Sequence, residues 1–333
     1  MNGGMTRRTF SLATATGLAH LHARGVGDVR TVTGPIAVHE LGVTLMHEHV
    51  VTDLRTPSER LPGDYDRDDA IRTSRPYLEE LLSAGAKTLV EPTPIWIGRD
   101  ARALRALSEQ SGMQIVCATG IYGAAGQRFI PDFAHEESAE QLAERYLREI
   151  EQGIGRSGVR PGIIKTGVNA ATPLPDVERK LVRAAALASR RSGLALASHT
   201  GPAAAAREQL KILDAVGLPP ESFIWVHAQN ERDQEKRRAV AAEGAWVELD
   251  GISPKSAAWH LECLKELAYA GFLDQVLISQ DAGWYRPGPE RGNRFRGYTF
   301  ILNTFVPMLR SAGFSEAEVD RLLITNPARA LAS

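Results

Sequence analysis

From residue 29 onward, short apolar runs alternate with longer segments in which apolar residues recur every three or four positions. The short runs are typical of buried strands, and the longer segments are typical of amphipathic helices. The eight predicted strands span 43–50, 86–92, 114–120, 162–167, 194–200, 223–228, 245–251 and 275–281. Because a helix follows each strand and no change of composition divides the series, we predict a single α/β domain over residues 29–333, a parallel (β/α)8 barrel of the TIM type.

Residues 1–28 do not fit this alternation. Arg7 and Arg8 precede a mildly apolar stretch, a pattern that resembles a twin-arginine export signal. Basic residues soon interrupt that stretch, and no clean A-x-A cleavage site follows it before Asp28. We favour an export signal, which would place the protein in the periplasm or outside the cell. The alternative is a disordered basic tail on a cytoplasmic protein.

Composition narrows the kinds of partner. The 333 residues contain 39 Lys and Arg against 40 Asp and Glu, a net charge of -1. This balance argues against a surface built to bind nucleic acid or an anionic membrane, so we expect a small-molecule substrate. Cys117 and Cys263 lie in very different contexts, and we expect them to be structural thiols rather than a disulfide.

Histidines and one aspartate lie at the ends of the predicted strands. His47 and His49 are two residues apart, so both imidazoles of one strand would point to the same side. His199 and His227 end the fifth and sixth strands, and Asp281 follows the eighth. The C-terminal ends of parallel barrel strands meet at one mouth, where such a set suits zinc or a similar metal.

Alternative interpretations remain open for these residues. An isolated H-x-H pair is explained equally well by packed or surface histidines. The other histidines lie in the N-terminal tail, a turn, a loop or a helix, and we assign them no role: His20, His22, His39, His135 and His260.

Lys165 is unusual because two isoleucines precede it in a predicted buried strand. An ammonium group at such a position is costly without a partner. A neutral lysine amine can instead react with carbon dioxide to give a carbamate, an anionic ligand able to bridge two metals. We favour a carboxylated lysine over a strand-edge lysine that extends to solvent.

Together, H-x-H on strand one, Lys on strand four, His on strands five and six and Asp on strand eight resemble the amidohydrolase superfamily. More narrowly, the chain resembles the phosphotriesterase family, which includes organophosphate hydrolases and phosphotriesterase-like lactonases. The similarity covers nearly the whole chain after residue 28. It includes residues 31–50, IGRD (97–100), TGIY (119–122), GIIKTG (162–167), SHTG (198–201), ISQDAGW (278–284) and 305–331.

The resemblance implies a binuclear centre. His47, His49 and Asp281 would hold one divalent ion, and His199 and His227 would hold a second. Carboxylated Lys165 and a hydroxide would bridge the two ions, and Asp281 would accept a proton from the attacking hydroxide, so that Lys165 and Asp281 are the expected catalytic residues. We expect zinc, although manganese, cobalt or iron also fit such ligands. A homodimer is usual in the family.

The chain departs from the family at two positions that relay the proton outward. Gly251 stands where organophosphate hydrolases have a histidine and lactonases an arginine, and Asn230 stands where an acidic residue is usual. Glu91 replaces a more usual aspartate on strand two, and we assign it no role.

Three residues are predicted to contact substrate. Tyr122 matches the tyrosine that lactonases direct at the bound substrate, and Trp284 and Arg286 follow the eighth strand. A packing role is an equally good interpretation for the two aromatic side chains.

We therefore expect a metal-dependent hydrolase of ester bonds, with a lactone or carboxyl ester ahead of a phosphotriester. Amide hydrolysis by the same centre is the alternative reaction. A barrel that binds metal or small molecules without turnover is the alternative outside enzymes.

Overall fold

The computed structural model describes residues 27–60, 64–288 and 294–332. Of residues 1–28, for which the sequence predicts an export signal or a tail, residues 1–26 lie outside the described residues. The strands are β1 (Asp28–Thr31), β2 (Gly34–Ala37), β3 (Thr44–Leu45), β4 (His49–Val51), β5 (Thr88–Glu91), β6 (Gln114–Thr119), β7 (Ile163–Gly167), β8 (Leu196–His199), β9 (Phe223–Val226), β10 (Trp246–Leu249), β11 (Val276–Ile278) and β12 (Gly283–Tyr285). The α-helices are α1 (Arg67–Ser83), α2 (Ala101–Ser111), α3 (Asp132–Glu136), α4 (Ala139–Gln152), α5 (Asp176–Ser192), α6 (Ala203–Ala215), α7 (Gln234–Ala242), α8 (Ala257–Tyr269), α9 (Val306–Ser311), α10 (Glu316–Asp320) and α11 (Asn326–Leu331).

Eight strands form the parallel barrel, in the order β3-β5-β6-β7-β8-β9-β10-β11. Each pairs with the next along the chain, so the predicted (β/α)8 fold is confirmed. The first and last strands are shorter than predicted. The segment predicted as one strand at 43–50 bends at Met46 and His47 and divides into β3 and β4. Strand β11 ends at Ile278, three residues before Asp281.

An antiparallel hairpin, β1–β2, precedes the barrel, and Asp28 pairs with Ala37 within it. The described fold therefore begins one residue before the boundary predicted at 28/29. None of the described helices combines the length and apolar character needed to span a bilayer. Cys117 and Cys263 are buried and free, as expected of structural thiols.

The inner and outer faces of the strands pack into different apolar clusters. Ile163 belongs to the cluster that fills the barrel interior, whereas Ile164 packs into the cluster between the sheet and the helices. Because alternate residues share a face of a strand, Lys165 lies on the inner side with Ile163. The sequence of β7 therefore directs this amine into the barrel.

The junction between β3 and β11 closes through the residues that follow both strands. The backbone N–H groups of Asp281 and His49 donate to the carbonyls of His47 and Ala282, at 3.0 and 2.8 Å. The Ser279 hydroxyl accepts from the His47 N–H at 2.8 Å and donates to the Glu48 carboxylate at 2.8 Å. At the junction of β3 and β11, where a regular strand ladder is missing, the Ser279 side chain therefore supplies two of the hydrogen bonds.

Ser279→Ala is expected to lower the free energy of unfolding by about 1–3 kcal/mol, because it leaves a buried N–H and a buried carboxylate each short of one partner. Chemical denaturation monitored by far-UV circular dichroism measures this change. Ser74→Ala is the matched control, since the Ser74 hydroxyl is equally buried but has no hydrogen-bond partner among the described residues. Equal unfolding free energies for the two variants would contradict a role of Ser279 in closing the barrel.

Candidate metal centre

The six predicted ligands converge at the C-terminal end of the barrel strands. His47, His49 and Lys165 are buried, and the others are partly exposed. All six line one cavity of about 110 Å³: His47, His49, Lys165, His199, His227 and Asp281. The structure therefore brings together every side chain that the sequence assigned to the centre.

His47 and His49 face the same space although the strand predicted to carry both of them is interrupted. Their ring centroids lie 5.1 Å apart. Nε2 of His49 lies 3.2 Å from Oδ1 of Asp281, so these three residues offer ligand atoms within 4.8 Å of one another. Nitrogen and carboxylate oxygen at such spacing suit a zinc-like ion.

Hydrogen bonds through Thr93 and Glu91 fix the other ring nitrogen of His49, Nδ1. Nδ1 lies 2.6 Å from the Thr93 hydroxyl, which in turn donates to the Glu91 carboxylate. With Nδ1 as donor, Nε2 keeps its lone pair for a ligand role. Such outer partners commonly orient a metal-binding histidine, so Glu91, to which the sequence assigned no role, helps to position His49.

A second pair of imidazoles, those of His199 and His227, lines the same cavity. Nε2 of His227 lies 2.8 Å from Nδ1 of His199. Nδ1 of His227 bonds to the buried carboxylate of Asp250, which also accepts from the Gln229 amide at 2.9 Å. Asp250 thereby aims His227 at His199, and the group His227, Asp250 and Asp281 also has metal-like spacing.

Lys165 lies between these histidines in a buried position, 2% exposed. Its Nζ has no hydrogen-bond partner among the described residues. Burial lowers the pKa of this amine below its ordinary range, although nearby carboxylates oppose the effect. An unpartnered buried amine in a cavity that four imidazoles also line is costly for a purely structural role.

Two acidic residues that the sequence analysis did not single out as site residues complete the outer shell. Glu248 and Asp250 lie two residues apart, and both approach Nδ1 of His47, at 3.2 and 3.4 Å. The sequence carried a signal for them, because charged residues inside a predicted apolar strand need a buried partner. Burial alone lowers the pKa of His47, but these two carboxylates outweigh burial and raise it to about 10.

Three residues around the centre have backbones in the left-handed region. The φ angles are 65° for His227, 49° for Asp281 and 76° for Trp284. This region is uncommon for residues other than glycine and tends to occur at functional sites. Here it turns the chain sharply after β9 and β11, so that both ligand side chains reach the cavity.

Of the three residues predicted to contact substrate, two line the cavity and the third is not among its described lining residues. Tyr122 and Trp284 line the cavity, with ring centroids 5.2 Å from His199 and 5.0 Å from His49 respectively. The Arg286 guanidinium lies 5.7 Å from the Trp284 ring and is not among the described lining residues. Its contact with substrate stays a prediction. Thr52 and Arg128, which the sequence did not indicate, also line the cavity.

One of the two positions of the missing proton relay, Gly251, lies beside Asp250. Gly251 follows Asp250 with φ of 74°, and a Cβ at this position would lie 3.4 Å from the Gln229 amide nitrogen. Gln229 precedes Asn230 and bonds to Asp250. A neutral amide therefore contacts the Asp250 carboxylate, whereas Asn230 itself is exposed.

The donor set fits two divalent ions. It offers imidazoles, carboxylates and one unpartnered amine, and His47, His49 and His227 each contact a buried polar side chain. Imidazole and carboxylate ligands with such outer partners are usual for zinc and related metals.

Binding of zinc to the metal-free protein is expected to release protons and to strengthen as the pH rises from 6 to 8. The His47 imidazole has a pKa of about 10 without metal, so it is protonated over this range and must lose its proton to become a ligand. Calorimetric titration in buffers of different ionisation enthalpy measures the protons released. An affinity that does not change with pH would contradict the assignment of His47 as a ligand.

Comparisons with known proteins consistently indicate one family. A model of the phosphotriesterase family matches residues 27–331. The phosphotriesterase homology protein of Escherichia coli strain K12 is 30% identical over 291 residues, which cover 86% of this chain and 97% of that protein. The N-acetyltaurine hydrolase of Tetraodon nigroviridis is 27% identical over 352 residues, covering 90% and 97%. A solved single-substitution variant of an organophosphorus hydrolase from Deinococcus radiodurans superposes with a TM-score of 0.82 at 27% identity, over 92% and 98% of the two chains. The sequence motifs, the barrel and these matches agree, and the chain belongs to the phosphotriesterase family.

Proposed function

We propose that the protein is a hydrolase with two divalent metal ions that adds hydroxide to the carbonyl of an ester or a lactone. The observation that carries this proposal is the convergence of six ligand-type side chains on one cavity, with the unpartnered amine of Lys165 among them. His47, His49 and Asp281 would hold one ion, and His199 and His227 the other.

Lys165 would supply the ligand shared by both ions. Its lowered pKa increases the fraction of neutral amine, which is the form that reacts with carbon dioxide. The nitrogen forms a bond to carbon and loses a proton to water, and the product is a carbamate in which two oxygens share one negative charge. This product also satisfies a position in the barrel interior where an ammonium group would be costly.

The ions, when bound, would polarise the carbonyl oxygen and make hydroxide available near neutral pH. The residues of the chain have separate roles in the proposed reaction. Asp281, whose carboxylate has a pKa held at about 2 against the effect of burial, mainly by His49, is ionised and able to accept a proton. Tyr122 and Trp284 flank the centre and would position the acyl group and exclude water.

Amide hydrolysis is the second candidate reaction. A relative that covers most of the chain is named N-acetyltaurine hydrolase, and the bond broken in an N-acetyl compound is an amide. The same centre would polarise an amide carbonyl. The missing relay around Gly251 and Asn230 places phosphotriesters behind both carbonyl substrates.

Lys165→Ala is expected to reduce the metal content from about two ions per chain to one or fewer and to lower kcat/KM by roughly 100-fold or more, because the shared ligand is lost. Mass spectrometry of the metals and an esterase assay measure the two effects. Lys211→Ala removes an exposed lysine of α6 and should change neither quantity. Carbon NMR after incubation with labelled bicarbonate should show a carbamate signal in the native protein only. Full metal content and activity in Lys165→Ala would exclude the bridging carbamate.

A substrate screen of the metal-reconstituted protein is expected to give the highest kcat/KM for lactones or aryl esters, followed by N-acyl amides and then dialkyl aryl phosphate triesters. Protein treated with a chelator is the control and should lose activity until metal is restored. A clear preference for triesters would overturn the ranking. About two bound metals without turnover of any class would instead indicate a binding protein.

A further inference from the structure

The cavity has a charged group that the metal centre does not use. Among its described lining residues, Arg128 is the only cationic side chain outside the six predicted ligands. The remaining walls are mostly apolar: Leu54, Pro92, Pro94, Ile97, Ala125 and Trp284. Pockets for small molecules commonly combine apolar walls with a few polar groups that fix the orientation of the ligand.

Arg128 lies at the outer end of a row of rings that leads to the centre. Its guanidinium lies 4.7 Å from the centroid of the Phe129 ring. The Phe129 ring is 6.4 Å from Tyr122, and Tyr122 is 5.2 Å from His199, measured between ring centroids. Of these rings Tyr122 lines the cavity, as does Ile97, so an apolar chain can lie along these two side chains between the cation and the ligands.

Arg128 also differs from other arginines at this end of the barrel in having no carboxylate within 4.0 Å among the described residues. Arg55 pairs with Asp53, and Arg99 pairs with Glu149 at 2.7 Å. Glu59 interacts with Arg128 only at longer range, and its carboxylate accepts from the backbone and the hydroxyl of Thr56. The guanidinium is exposed and its donors can bind an incoming anion.

We propose that Arg128 is a specificity-determining residue that binds an anionic group of the substrate. The substrate class is an acyl compound in which a carboxylate or sulfonate is separated from the scissile carbonyl by an apolar spacer. This inference rests on the proposed hydrolysis at the metal centre. The carbonyl lies at the centre, the spacer lies along Tyr122 and Ile97, and the anion pairs with the guanidinium at the mouth.

The test compares nitrophenyl hydrogen adipate with its methyl-capped ester, which has the same spacer without the charge. The metal-loaded native protein should prefer the anionic ester by roughly tenfold in kcat/KM. Arg128→Gln should remove this preference by raising KM for the anionic ester alone, with kcat nearly unchanged, since the charge is bound equally in the ground and transition states. Arg128→Lys should restore part of the preference as a point charge.

Arg148→Gln is the matched control, because it removes an exposed arginine of α4 that is not among the lining residues of the cavity. It should leave both esters unaffected. A native preference for the capped ester, or equal losses for both esters in Arg128→Gln, would overturn the inference. If neither ester is hydrolysed, the proposed function fails for esters, and calorimetric titration with hexanesulfonate tests Arg128 separately. Binding that weakens roughly tenfold in Arg128→Gln would support the anion site, and unchanged or absent binding would exclude it.

Discussion

The buried carboxylate of Glu48 connects the closure of the barrel with the metal centre. It accepts hydrogen bonds from the Ser279 hydroxyl and from the backbone N–H groups of Gln280 and Ala282, at 2.8, 2.9 and 2.7 Å. Burial raises the pKa of Glu48 to about 7, although these donors favour its ionised form. Because Glu48 lies between His47 and His49, the bonds that close the barrel also fix the two neighbouring imidazoles. The segment that carries Asp281 is held by the same carboxylate.

Several of the ionisable side chains that line the cavity are held by polar or charged neighbours. His47, His49 and His227 each have a buried polar side chain bonded to Nδ1, and Asp250 serves both His227 and His47. The cationic amine is disfavoured by burial, whereas the carboxylate of Asp250 is kept ionised, its pKa held well below the usual range by His227 and His47 despite burial. Buried charges of this kind are stable only when they are paired or bind an ion. The arrangement is therefore incomplete as a purely structural network and suited to bound cations.

The sequence predicted the fold and the inner face of the site because both follow from local patterns. Alternation of strands and helices indicated the barrel, and a lysine among isoleucines indicated a buried functional group. The same reasoning applies to Glu91, Glu248 and Asp250, whose strands are also apolar. Which imidazole each of them contacts depends on the register of neighbouring strands, and no local pattern contains that information. The interruption of the first strand was missed for a related reason, since the chain leaves the barrel there to pair with a segment more than 200 residues away.

That second pairing has a consequence for how the family can diversify its substrates. Strand β12 runs beside β4 with Gly283 opposite His49, where a Cβ would lie 1.7 Å from the His49 carbonyl oxygen. Trp284 follows directly and packs its ring against His49. Mutations in this segment would disturb a ligand before they could reshape the pocket. The loop after β6 is constrained in the same way at its start, since a Cβ at Gly120 would lie 2.1 Å from the Lys165 carbonyl oxygen. Arg128 lies farther along this loop and is exposed, so new substrate preferences can arise more readily at its position, at less risk to the reaction itself.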